Sequence, residues 1–99
     1  MLVMGQNTQT KKQTKANAKR VIERTQTGVR IETRMLKVLK ALAEYLDMTL
    51  GDLLEGIVLH AFEGKAPFGE VSRKKIEALR EVYGLTLTAE DSHKLEERA

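Results

Sequence analysis

Cysteine is absent from all 99 residues, which removes a disulfide framework, a thiolate metal site and a cysteine nucleophile together and gives no sign of an oxidising compartment. Long apolar runs are missing too. Met1 to Met4 gives way to Gly5, Gln6 and Asn7, so neither a signal peptide nor a transmembrane helix is expected. There is no phosphate-cradling glycine loop, because Gly51, Gly56 and Gly64 are scattered and lack the lysine that accompanies such loops. No internal repeat occurs. These absences leave a small, soluble, cytoplasmic protein of one domain at most, with 41% hydrophobic residues and only part of its length able to form a core.

What is present is unevenly placed. Residues 1 to 24 carry six basic side chains (Lys11, Lys12, Lys15, Lys19, Arg20, Arg24) against Glu23 alone, whereas residues 25 to 99 hold 11 basic and 13 acidic side chains, within a net charge of +3. The basic stretch is rich in Gln, Thr and Asn and has too little apolar surface to repay ordering, so a mobile N-terminal arm is expected. It is either a solubilising tail or a set of phosphate contacts. A short helix over Ala16 to Arg24 is the one element the arm offers.

From Thr27 to Glu32 the residues alternate, placing Val29 and Ile31 on one face and Gly28, Arg30 and Glu32 on the other, as in a short half-buried strand. Thr33 is a plausible N-cap for a first helix, in which Met35, Leu36, Leu39, Leu42, Ala43 and Leu46 recur at three- and four-residue steps up to about Asp47. Thr49 and Asp52 form a variant capping box for a second helix. Leu50, Leu53, Leu54, Ile57, Val58, Ala61 and Phe62 give that helix a broad apolar face, and Gly64 and Pro67 end it. Being the more apolar of the two, it is the expected centre of the core. Gly56 inside it costs about 1 kcal/mol relative to Ala, and a close helix crossing near a dimer axis is one explanation.

A strand without a partner in its own chain leaves backbone groups unpaired, and the same strand from a second copy is the cheapest remedy. The chain thus reads as half of a symmetric dimer, and a two-stranded ribbon fits the DNA major groove. Further on, Ser72 is a candidate cap for a third helix with a narrow stripe of Ile76, Leu79, Val82 and Tyr83, stopped by Gly84. Leu85 to Thr88 alternates as a brief extended segment would, while Thr88 to Arg98 suggests a last polar helix.

The order, spacing and apolar pattern from Thr27 to Phe62 resemble the ribbon-helix-helix family of bacterial DNA-binding proteins, the Arc/MetJ/CopG type. The resemblance implies a mainly α fold with one short β-strand, an intertwined homodimer and a two-stranded antiparallel intermolecular ribbon. It divides the chain into the arm (1–24), a DNA-binding and dimerisation domain (25–64) and a C-terminal helical extension (65–99). Carried over by position, Gln26, Gly28 and Arg30 would face the bases. Arg30 suits guanine through two parallel hydrogen bonds, while Gly28 departs from the polar side chain usual there. Thr49, Leu50 and Gly51, at the start of the second helix, would hold phosphate, together with Lys11, Lys12, Lys15, Lys19, Arg20 and Arg24 of the arm. Val29, Ile31, Leu39, Leu42, Leu46, Leu53, Leu54, Ile57 and Val58 would form the dimer core. Asp47 stands near where the family often has glycine.

Catalytic alternatives are weaker. His60 and Glu63 lie three apart on one helix, but two ligands do not close a metal site, and a surface histidine explains His60 as well. His93 beside Ser92 has no enclosed pocket. The expectation is therefore a non-enzyme with no cofactor and no metal: a nucleoid-associated, sequence-specific regulator of the repressor type, partnered by double-stranded DNA and by itself. The alternative is an antitoxin or adaptor whose C-terminal stripe docks onto a protein partner. A purely structural helical dimer is a third reading.

Overall fold

The structure, a computed structural model, describes residues 19–98. They contain α1 (Thr33–Tyr45), α2 (Leu50–Phe62), α3 (Glu70–Tyr83) and a single 3-10 turn at Ala89–Asp91. Residues 19–32, ahead of α1, form neither helix nor strand.

Local chemistry explains where each helix begins. α1 starts one residue earlier than expected, because Glu32 rather than Thr33 is its N-cap, the Glu32 carboxylate accepting the Met35 amide at 2.7 Å. Thr49 caps α2 as its position suggests, with Oγ1 accepting the Asp52 amide at 3.1 Å. α3 begins after Gly69, ahead of Ser72. Glu70 then lies in the first turn, where a carboxylate favours the positive end of the helix dipole.

One kind of turn ends all three helices. The amides of Met48, Lys65 and Leu85 donate five residues back, to the carbonyls of Ala43, His60 and Arg80, at 3.0, 2.8 and 2.8 Å. The residue before each donor is left-handed: Asp47, Gly64 and Gly84 have φ of 59°, 70° and 67°. Asp47 thus takes a conformation natural to glycine, one that aspartate tolerates better than most residues.

α1 is the centre of the assembly, packing on α3 along its length and on α2 over a shorter stretch, while the backbones of α2 and α3 stay apart. At one end of the first pair Arg34 Nη1 donates to the Gly84 carbonyl at 3.2 Å, and at the other the Lys75 ammonium lies 4.6 Å from the centre of the Tyr45 ring. These contacts join the start of α1 to the end of α3, so the two helices run antiparallel. Leu42, Ala43 and Leu53 form the buried nucleus, with Leu39, Leu46, Ile57, Phe68, Ile76 and Leu79 packed around it. Val38 and Leu85 are also buried.

The expected fold is corrected on its defining element. The described residues are helical with no strand, so the mainly α fold with one short β-strand, and the ribbon-helix-helix ribbon built on it, is not what they form. Alternation assigns faces, but a strand also needs a neighbour to complete its hydrogen-bond ladder, and among the described residues no segment forms such a ladder with Thr27 to Glu32. Val29 is 73% exposed and only Ile31 is half-buried. Leu85 to Thr88 is irregular, as is Lys19 to Arg24, where the arm helix was expected; its first residues lie outside the described ones. The last polar helix is reduced to the 3-10 turn, closed by a capping box between Thr88 and Asp91.

A second correction concerns α2. Among its residues only Leu53 is buried, while Val58, Leu59 and Phe62 are exposed. A helix apolar on most of its circumference needs neighbours on several sides, and α1 covers one side. Ile76 and Leu79 of α3 instead complete the core against α1 and Leu53. At Gly56 a Cβ would meet nothing within 4 Å, so no close approach within the chain requires this glycine.

Leu42, 2% exposed, is the residue on which the nucleus closes. Leu42→Ala is expected to cost about 2–5 kcal/mol, read as a lower urea midpoint at unchanged slope, whereas Val58→Ala should leave the midpoint nearly unchanged in a monomeric sample.

Candidate nucleic-acid interface

The residues expected to meet DNA fall into two groups. Gln26, Gly28 and Arg30 lie in the irregular segment ahead of α1 and are exposed, as are Lys19, Arg20 and Arg24. Thr49, Leu50 and Gly51 lie at the start of α2. Lys11, Lys12 and Lys15 lie outside the described residues. The expected dimer-core residues are spread over different environments. Leu42 and Leu53 are buried within the single chain, Leu39, Leu46 and Ile57 pack around them, Leu54 is half-buried, and Val58 and Val29 are exposed.

Arg24 bridges the two groups. Its Nε and Nη2 donate to Glu55 Oε2 and Oε1, each at 2.8 Å, so the guanidinium lies flat against a carboxylate of α2. The hydrogen bond and then the charge of Glu55 raise the Arg24 pKa, with a further contribution from Asp52. The segment before α1 is thereby brought beside the first turns of α2. There the Asp52 amide is taken by Thr49 Oγ1 and the Leu53 amide by the Thr49 carbonyl. The amides of Leu50 and Gly51 have no acceptor among the described residues. Open amides at a helix N-terminus suit an anion, Arg24 adds a positive charge, and Asp52 opposes it.

Arg30 is held in the same way at the other end of the segment. Its Nε donates to Glu97 Oε1 at 3.1 Å and its Nη2 to Glu97 Oε2. Sequence reasoning missed both carboxylates. They lie 31 and 67 residues from their arginines, and no local pattern announces a partner at such separations. Both pairs are solvent-exposed, so each contributes little to stability. Their significance is that two of the segment's three arginines, Arg24 and Arg30, are engaged by acceptors of the chain itself.

The other candidates offer less chemistry. His60 Nδ1 lies 2.7 Å from the Gly56 carbonyl of its own helix. Asp52, His60 and Ser72 line one shallow, largely apolar cleft between α2 and the start of α3, an association that sequence spacing does not reveal. None of these three side chains is hydrogen-bonded to another, and the ring nitrogen a carboxylate would orient faces the backbone instead. His93 has a left-handed backbone at φ 67° beside Ser92 in the irregular tail. Among the described residues no group of three or more His, Asp or Glu is placed to hold a metal ion, and no helix is long and apolar enough to cross a membrane.

Comparison with known proteins returns no match to this chain from family models, curated proteins or solved structures.

The arginine partners lower the pKa of the Glu55 and Glu97 carboxyls, chiefly through the hydrogen bonds they donate. A carbon-detected titration should place both groups below the ordinary carboxylate range, with Arg24→Gln restoring Glu55 and Arg30→Gln restoring Glu97. Because the folded-state pKa is depressed, whatever stability each pair contributes is present above the ordinary carboxylate range and is lost as pH falls through the folded value.

Proposed function

We propose that this protein is a homodimeric, sequence-specific DNA-binding regulator of the repressor type, a binding protein rather than a catalyst. The observation that carries the proposal is the exposed basic segment Lys19 to Arg30, which Arg24 anchors beside the open amides at the start of α2. One continuous surface then offers guanidinium groups for base edges or phosphates and backbone donors for phosphate. The proposal keeps the DNA-binding function implied by the family resemblance and drops its ribbon. Such a regulator works in the compartment that holds the DNA, which for a bacterial chain is the cytoplasm.

Dimerisation is supported by the uncovered side of α2. Leu59 is 63% and Phe62 81% exposed, with Val58 beside them, and a second copy of α2 would bury them without any change to α1 or α3. Isologous pairing about a two-fold axis presents two basic segments to one duplex, matching a palindromic site. The antitoxin or adaptor alternative has less support, because Ile76 and Leu79 of the stripe assigned to a partner are packed on the chain's own core and only Val82 and Tyr83 of it are exposed.

Two measurements test this function. Fluorescence anisotropy against a pool of duplexes, including the DNA upstream of the chain's own gene, should find one preferred duplex. Arg30→Ala should reduce that preference about tenfold or more, whereas deletion of residues 1 to 24 should weaken all duplexes alike and flatten the salt dependence. Weak, uniform binding unaffected by Arg30→Ala would refute sequence reading by this segment.

For the dimer, sedimentation equilibrium should show Phe62→Glu raising the dimer dissociation constant by at least about tenfold, with helix content retained. A wild-type chain that stays monomeric at high concentration would remove the homodimer from the proposal.

A further inference from the structure

The C-terminal segment returns across the molecule to the arginine that DNA recognition would use. Gly84 ends α3, Leu85 is buried and Leu87 half-buried, and the turn at Ala89–Asp91 redirects the chain. The Thr88 amide donates to Asp91 Oδ2 at 2.8 Å and the Asp91 amide to the Thr88 carbonyl at 2.9 Å, which stiffens that redirection. Glu97 then meets Arg30 with both carboxylate oxygens, each accepting from a different guanidinium nitrogen.

A carboxylate in this geometry presents the same paired acceptors as the guanine edge or a phosphate, so it occupies the donors that either would use. We propose that Glu97 is an intramolecular competitor of nucleic acid at Arg30, so that the C-terminal segment holds the protein in a self-masked state that an incoming duplex must displace. This inference rests on the DNA-binding function proposed above and adds a regulatory contact to the same surface. Arg24 and Glu55 show the same arrangement at the other end of the segment. Arg24 and Arg30 are therefore both satisfied before any DNA arrives.

The size of the effect follows from exposure. Both partners of the Arg30 pair are largely in solvent, and exposed ion pairs are weak, so masking should lower apparent affinity by about two- to fivefold at low salt. Salt screens the intramolecular pair, so the masking shrinks as salt rises even while DNA binding itself weakens.

The test is anisotropy of the full chain on its tightest-binding duplex, or on a mixed-sequence duplex if none stands out, at low and moderate salt. Glu97→Gln is compared with Glu96→Gln, which removes the same charge from the neighbouring residue, and both are repeated with Arg30→Gln. Glu97→Gln should tighten binding by about two- to fivefold at low salt, clearly more than Glu96→Gln, and the gain should vanish in the Arg30→Gln background. Equal effects of the two glutamate variants, or a gain that survives Arg30→Gln, would overturn the competitor and leave DNA binding standing. Failure of every chain, Glu97→Gln included, to bind any duplex at low salt would overturn the DNA-binding function and the competitor with it.

Discussion

Everything in this molecule depends on a shortage of covering surface around α1. Leu42, Ala43 and Leu53 close a small nucleus where α1 meets α2, and Ile76 and Leu79 reach it from α3. Burial of apolar area is the dominant favourable term in folding, and a chain of 99 residues has little area to spend. Because α1 lies between the other two helices, it is satisfied on both sides, and each flanking helix keeps an outer face.

That arrangement determines what the rest of the chain presents. α2 is held by one side near Leu53 and leaves Val58, Leu59 and Phe62 in solvent, the condition under which a second copy is the economical cover. The start of α2 is open to solvent and adjoins the segment that enters α1, so Arg24 reaches Glu55 without distorting either element. α3 positions the C-terminal segment. Its glycine stop and the buried Leu85 carry the chain back toward the N-terminal side, where Glu97 meets Arg30. The proposed recognition, dimerisation and masking surfaces all trace to the same helix order.

Electrostatics and packing are separated in this fold. The nucleus is entirely apolar, and the two bidentate pairs lie on the surface, where they are easily exchanged. A buried arginine-carboxylate pair would be costly to break. An exposed one can yield its arginine to a phosphate or a base edge at little cost, as the proposed masking requires.

The sequence by itself determined the three helices and most of their ends. Apolar spacing, the Thr49 cap and the glycine stops act within a few residues, so Leu50–Phe62 and the Gly84 terminus were legible. Cap choice was less so, since Glu32 displaced Thr33 and Gly69 displaced Ser72. Alternation from Thr27 to Glu32 suggested a half-buried strand, but the residues up to Arg30 are exposed on both faces, Val29 included, because a strand depends on a neighbour rather than on its own pattern. Only the tertiary structure decided that α1 rather than the more apolar α2 is the centre, since centrality depends on how many neighbours a helix has. It alone paired Arg24 with Glu55 and Arg30 with Glu97 across 31 and 67 residues, because side-chain contacts at such range are set by chain path, and local sequence does not encode the path.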